Sequence, residues 1–291
     1  MVQFKSARLK FRTTKFKPLT DSQWQYISIF FDDGRKRQYS LRDIVDVIRK
    51  VIRTGTQWRN VFALEKGPHM SWELPYYYYR KWQKNDIWDN ILALLVQKER
   101  ERQGKQAHAS VCAVDSQSVK KGSLISIETG IDGGKLVNGR KRHIAVDILG
   151  LPLALHVSSA NKNDGQQGIE LLWQLDKVSD RMELIRADKA YRGEFITCAQ
   201  YYKWAVEISQ KPPSEKGFVP QTGRWQVERS FSWFNFFRRL SKDFEKTVES
   251  SVCVMQIAFI DIILARFLNL IFKHTLKLKN YFCNKMKGIY D

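Results

Sequence analysis

The chain has 291 residues, 43% hydrophobic and 13% aromatic, enough for a sizeable core, which excludes an intrinsically disordered protein. Lys plus Arg outnumber Asp plus Glu by 49 to 30, a formal charge of +19, so a polyanionic partner is expected, nucleic acid ahead of a membrane surface. Cys112, Cys198, Cys253 and Cys283 form no CxxC, and the five histidines show no HExxH spacing. A reduced, cytoplasmic protein is therefore expected, and any metal should take oxygen ligands, hence Mg2+ or Mn2+.

Residues 1–18 read as a basic tail, without an acidic residue. Residues 19–103 read as all-helical. Thr20 with Gln23 and Ser40 with Asp43 have capping-box spacing. Leu41, Ile44, Val45, Ile48, Val51 and Ile52 form one helical stripe, ended by Gly55. An aromatic, basic helix follows in SWELPYYYYRKWQ, then another from about Asp86 to Arg102. Such short helices with a basic, aromatic surface suit a helix-turn-helix-like DNA-binding domain, with a plain helical bundle as the alternative.

The hydrophilic stretch ERERQGKQAH (99–108) reads as the boundary to a second domain, 109–272. There SVCAVDS reads as a central strand ending at Asp115. RHIAVDILG and LPLALHVSS read as a hairpin about Gly150, and Gly168–Leu175 as a helix. MELIRAD is a strand ending at Asp188, Gly193–Trp204 a helix, AVEIS a short strand, and the chain is helical from Arg224. A three-strand meander followed by βα units matches the ribonuclease-H-like fold, an α/β mixed sheet flanked by helices. Val252–Phe272 is apolar and long enough to span a bilayer, but Gln256, Asp261, Arg266 and Asn269 interrupt it, so it reads as a core helix. Residues 273–291 read as a basic C-terminal tail.

Asp115 and Asp188 each follow an apolar strand, the place where open α/β sheets build sites. Two carboxylates there repel unless a cation joins them. Glu228, in the partly apolar helix GRWQVERSF, is the candidate third. Three carboxylates from separate elements can hold two divalent ions for in-line attack at phosphate. Each also has a plain structural reading, as a turn or cap residue or, for Glu228, as an i,i+4 partner of Arg224. Asp147 and Asp164 are rivals for the site.

The boxes DSQSVK (115–120), GIDGGK (130–135), GRKRHIAVDILGLPLALHVSSANKND (139–164), ADKAYRGEF (187–195), KGFVPQTGRWQVERSF (216–231) and RRLSKDFE (238–245) resemble those of bacterial insertion-sequence transposases of the DDE class, closest to the group named after insertion sequence five. LTDSQWQYI and RTGTQWRNV resemble that group's N-terminal helical domain. The resemblance runs from about residue 19 to 270. It implies a ribonuclease-H-type catalytic domain whose metal-binding triad is Asp115, Asp188 and Glu228, with two Mg2+ or Mn2+ ions. It implies cleavage at terminal inverted repeats and strand transfer into target DNA by a homodimer or larger assembly on the nucleoid. Ala190 and Ile131 depart from the usual Gly and Tyr, and Asn235–Phe237 from a stretch where relatives often carry a basic residue. A domesticated DNA-binding protein and a nuclease of the same fold are the alternatives.

Among the cations, Arg140, Lys141, Arg142 and His143 are expected to precede a strand and to grip backbone phosphates, the alternatives being a solvated charge run and, for His143, a packed strand position. Lys189 and Arg192 follow Asp188, and Arg224 and Arg229 flank Glu228. These four are further candidate DNA contacts.

Overall fold

The computed structural model describes residues 16–31, 34–61, 70–209 and 225–287, with side chains through Phe267. Residues 1–15 of the expected N-terminal tail and Arg224 lie outside the described residues. The helical half comprises α1 (Asp21–Ile27), α2 (Leu41–Thr54), α3 (Glu73–Lys84) and α4 (Ile87–Arg102). Its start and stop signals act as sequence chemistry dictates. Thr20 and Gln23 exchange the two bonds of a capping box, Ser40 caps α2 by accepting from the Asp43 amide, and Gly55 ends α2 in the left-handed region at φ 72°.

The rest is built on one mixed sheet. Its strands are β1 (Val111–Lys120), β2 (Gly130–Asp132), β3 (Val137–Asp147), β4 (Pro152–Ser159), β5 (Leu184–Ala187) and β6 (Ala205–Ile208). β3 pairs antiparallel with β1, β2 and β4, and β5 pairs parallel with both β1 and β6. The spatial order β4-β3-β1-β5-β6, with α5 (Asp164–Val178) and α6 (Glu194–Tyr201) as crossovers, is the ribonuclease-H-like arrangement expected from the element order. Gly150, at φ 73°, turns the β3–β4 hairpin. Two local expectations are corrected. β2 was not anticipated as a strand. β1 does not stop at Asp115 but runs on to Lys120, because Ser116–Lys120 pair with Gly139–His143 of β3.

Side chains alternate between the two faces of the sheet. Cys112, Val114, Ala145, Ala154, Ile185 and Ala187 face α5 and α6. Ala113, Ile144, Val146, Leu155 and Val157 face the opposite way, into a larger core with α7 (Trp225–Trp233), α8 (Val248–Lys287) and the four N-terminal helices. The core therefore runs without a break across the 103–110 connection. Between Val248 and Phe267, α8 is apolar and long enough to cross a membrane, yet most of this segment is buried against the protein, the position of a core helix. Asp261 of α8 and Asp46 of α2 both bind Arg49, and all three are buried. Asp46 also accepts from the Leu19 amide, at 3.0 Å.

Removing the central cation would leave two carboxylates unpaired in the interior. Arg49→Met should therefore cost about 3–5 kcal/mol, read as a lower urea midpoint with an unchanged slope.

Candidate active site

The parallel ladder between β1 and β5 is short, pairing Val111 with Leu184, Cys112 with Ile185 and Ala113 with Arg186. Two residues beyond the last pair, Asp188 comes level with Asp115. Both lie on the Ala113 face, since Ile185 and Ala187 of β5 face the other core. Both are half-buried, at the point where β5 has ended and β1 continues alone on that side. The Asp188 side chain is set locally: its Oδ1 accepts from the Ala190 amide at 2.9 Å, and its carbonyl accepts from the Tyr191 amide at 3.1 Å.

α7 lies over the same face, packed on β1 and β3. Val227 and Phe231 are buried beneath it, as expected, but Trp225 is 42% exposed and does not pack inward. Instead it covers the Arg229 guanidinium, 4.3 Å from the ring centroid, with Trp233 on another side at 5.3 Å. Arg229 donates to the Leu149 carbonyl (2.7 Å) and Ser230 to the Gly150 carbonyl (2.8 Å). A Cβ on Gly150 would meet Ser230 Oγ at 2.8 Å, so glycine is required for this approach as well as for its φ. These contacts hold α7 to the hairpin turn and leave Glu228 exposed on its outer side. The structure thus places Asp115 and Asp188 on one face of the sheet, with Glu228 exposed on the helix that packs on β1 and β3. Among the described residues, no three His, Cys, Asp or Glu side chains already form a metal cage. The donors are all hard carboxylate oxygens and remain open to solvent, which fits Mg2+ or Mn2+ rather than a softer ion.

The basic run on β3 requires correction. It lies within the strand, and all four side chains are buried, Arg140 and His143 completely. Arg140 donates to the carbonyls of Ile127, Glu128, Glu245, Lys246 and Thr247 and lies 3.4 Å from the Asp243 carboxylate. Arg142 donates to the Leu240 carbonyl, and burial lowers its guanidinium to about 10. His143 bonds Ser158 Oγ at 3.0 Å. These groups are interior supports, out of reach of a phosphate backbone. Lys141 pairs with Asp164 at 2.9 Å. Arg229 is likewise committed to Leu149 and its tryptophans, and burial, then the nearby Arg266 charge, lower its guanidinium. Lys189 and Arg192, in contrast, are exposed beside Asp188.

Of the rivals, Asp147 is a buried structural carboxylate that accepts from Arg100 and from the Leu149 and Leu151 amides. Asp164 is the first residue of α5, capped by Asn163. Sequence reading missed Tyr191. It is fully buried, and its hydroxyl lies in the field of Asp115, Asp164 and Asp188, whose charges add to burial in raising it well above its ordinary range. The available signal was its place in the ADKAY box, three residues after Asp188.

A ribonuclease-H-like sheet carrying paired acidic residues under a helix defines a class of phosphoryl-transfer scaffolds. Residues 106–260 match the family model described as "Transposase DDE domain", and residues 19–92 match one described as "Putative transposase of IS4/5 family". The chain belongs to the DDE-domain transposase family. It is 30% identical over 118 residues to a protein of Burkholderia cepacia named "Putative transposase for insertion sequence element IS402", covering 38% of this chain and 56% of that one. It spans, therefore, little more than half of that relative's length. The catalytic core domain of BIV integrase superposes with a TM-score of 0.34 at 15% identity, over 52% of this chain and 82% of that one.

Burial pushes the His143 imidazole down to about 3, with the His156 and Lys141 charges adding to the effect. An unfolded histidine titrates near 6.5, so between there and about pH 3 only the unfolded chain gains this proton. Stability falls as pH drops through that window, by up to about 1.4 kcal/mol per pH unit from this group. His143→Gln should flatten the decline, which urea melts at pH 7, 6 and 5 would reveal as a shrinking difference from the unmodified protein.

Proposed function

We propose that this chain is a DNA transposase, which cleaves DNA at the ends of an insertion sequence and joins the freed 3′-ends to target DNA. The observation that supports the reading is that Asp115 and Asp188 follow the last β1–β5 pair by two residues each and lie on the sheet face against which the helix bearing Glu228 packs. Asp115, Asp188 and Glu228 are assigned as the triad that holds Mg2+ or Mn2+, two ions by the stoichiometry of such sites. When bound, the cations supply charge stabilisation at the attacking and leaving oxygens of an in-line phosphoryl transfer.

What the chain itself contributes is placement. The short β1–β5 ladder sets two carboxylates side by side, and the Ala190 amide orients that of Asp188. The Arg229–Leu149 and Ser230–Gly150 bonds fix the level of α7 and so of Glu228. Lys189 and Arg192, exposed next to Asp188, are positioned to hold the phosphates flanking the scissile bond. Residues 19–103 are assigned to recognition of the terminal inverted repeats, with the exposed Tyr77, Arg80 and Lys84 of α3 available to DNA. Pairing two ends calls for a dimer or larger assembly on DNA. The net charge of +19 suits nucleoid association.

The test uses purified protein, Mg2+ and an oligonucleotide carrying the element's end. Asp115→Asn, Asp188→Asn and Glu228→Gln should each lower cleavage and strand transfer by about 10²-fold or more while leaving DNA binding intact in a gel-shift assay. Full activity in any one of them would remove that residue from the triad. Cleavage without joined products would make the protein a nuclease.

A further inference from the structure

On the sheet face opposite Asp115, a chain of polar contacts runs beneath the proposed cation site. Ser118 of β1 donates to Asp132, which also caps its own turn by accepting from the Gly134 and Lys135 amides. Asp132 lies 3.9 Å from Lys141 Nζ, and Lys141 in turn pairs with Asp164 at 2.9 Å and donates to the Lys162 carbonyl at 3.0 Å. Asp132 and Lys141 are both buried. The ionic chain thus links the β2 turn, through β3, to the first residue of α5.

The N-terminus of α5 is docked directly on the turn that carries Asp188. A Cβ on Gly165 would meet the Ala190 carbonyl at 2.9 Å, and one on Gly168 would meet the Tyr191 ring at 2.7 Å. The Tyr191 ring is held between this helix and Phe195, at 5.2 Å edge-on. Its hydroxyl is fully buried, without a well-formed hydrogen bond, and feels the charges of Asp115, Asp164 and Asp188. Displacing α5 would carry the 188–191 turn with it.

We propose that Asp164 is a positioning residue of the cation site: paired with Lys141, it clamps α5 and Tyr191 against the Asp188 turn and cancels a buried positive charge that would otherwise oppose cation binding. This rests on the reading of Asp115 and Asp188 as cation ligands. Asp164 touches neither substrate nor ion in this role. Its removal acts in two ways, by loosening the turn and by leaving the Lys141 ammonium with only the more distant Asp132 carboxylate, 3.9 Å away, to compensate it.

The experiment measures Mn2+ affinity of the full chain by electron paramagnetic resonance, with no DNA present and no activity required. Asp164→Asn should weaken Mn2+ binding about 10–100-fold, and the double variant Asp164→Asn/Lys141→Met should recover most of that loss because the under-compensated positive charge is gone. A role in packing alone predicts no such recovery. Tyr191→Phe, which keeps the ring, should weaken binding in the same direction. Circular dichroism confirms that each variant is folded. Unaltered Mn2+ affinity in both Asp164→Asn and Tyr191→Phe overturns the proposal, and a double variant no better than Asp164→Asn overturns its electrostatic part. Asp115→Asn and Asp188→Asn serve as the reference: if they bind Mn2+ normally, the site reading itself fails, whereas if they lose binding and Asp164→Asn does not, only this inference falls.

Discussion

Two acidic residues on one face of the sheet, Asp115 within β1 and Asp188 just past the end of β5, are the constraint on which the rest depends. Two carboxylates gathered at one opening repel each other unless water or a cation screens them. A fold gains nothing in stability from this. It tolerates the arrangement because the β1–β5 ladder ends after Ala113, so Asp115 and Asp188 sit at an opening in the sheet and keep contact with solvent. Had β5 continued in register beside β1, the pair would be enclosed, and one carboxyl would have to take up a proton.

Everything packed around that opening limits how the carboxylates can move apart. From one face, α7 is tied to the β3–β4 turn by Arg229, Ser230 and the glycine-only approach at Gly150. From the other, the α5 terminus presses on the 188–191 turn through Gly165 and Gly168. Glu228 differs from the two aspartates in kind. It stands on a helix whose inner face is filled by Val227 and Phe231, so its own backbone is fixed while its side chain remains free to swing toward a cation. Under the proposed function, two half-buried aspartates and one exposed glutamate would complete the site only around a bound ion.

The sequence was most readable where local chemistry decides structure. The stripe and Gly55 stop of α2, the Thr20 capping box, and the hairpin about Gly150 each depend on residues within a few positions of one another. It was least readable where the partner is distant. SVCAVDS looked finished at Asp115 because the polar Ser116–Lys120 gives no apolar signal, yet these residues are strand because β3 pairs with them. GRKRH was read as a grip on backbone phosphates, with a packed position foreseen only for His143, because nothing nearby announces the burial of its arginines. The carbonyls that receive Arg140 come from Glu245, Lys246 and Thr247, more than a hundred residues away, together with Ile127 and Glu128. Asp188 does follow the end of its strand as read, but Asp115 lies inside β1, and their placement on one face depends on a ladder between segments 73 residues apart.

The fate of those arginines bears on how a strongly basic protein could run cation-dependent chemistry. Positive side chains free to move near Asp115 and Asp188 would compete with a metal ion for the same carboxylates. Arg140 and Arg142, on the β3 strand next to β1, are instead turned into fixed struts by backbone carbonyls, and Arg140 is further compensated by Asp243. Lys141, on the opposite face, is matched by Asp164. The cations left exposed near the site, Lys189 and Arg192, follow Asp188 in a tight turn that directs the Asp188 carboxylate onto the Ala190 amide. Net charge therefore predicts a polyanionic partner better than it predicts which residues meet it: the local basic run serves the interior, and the surplus that can reach a phosphate backbone is distributed among exposed turns and helix faces.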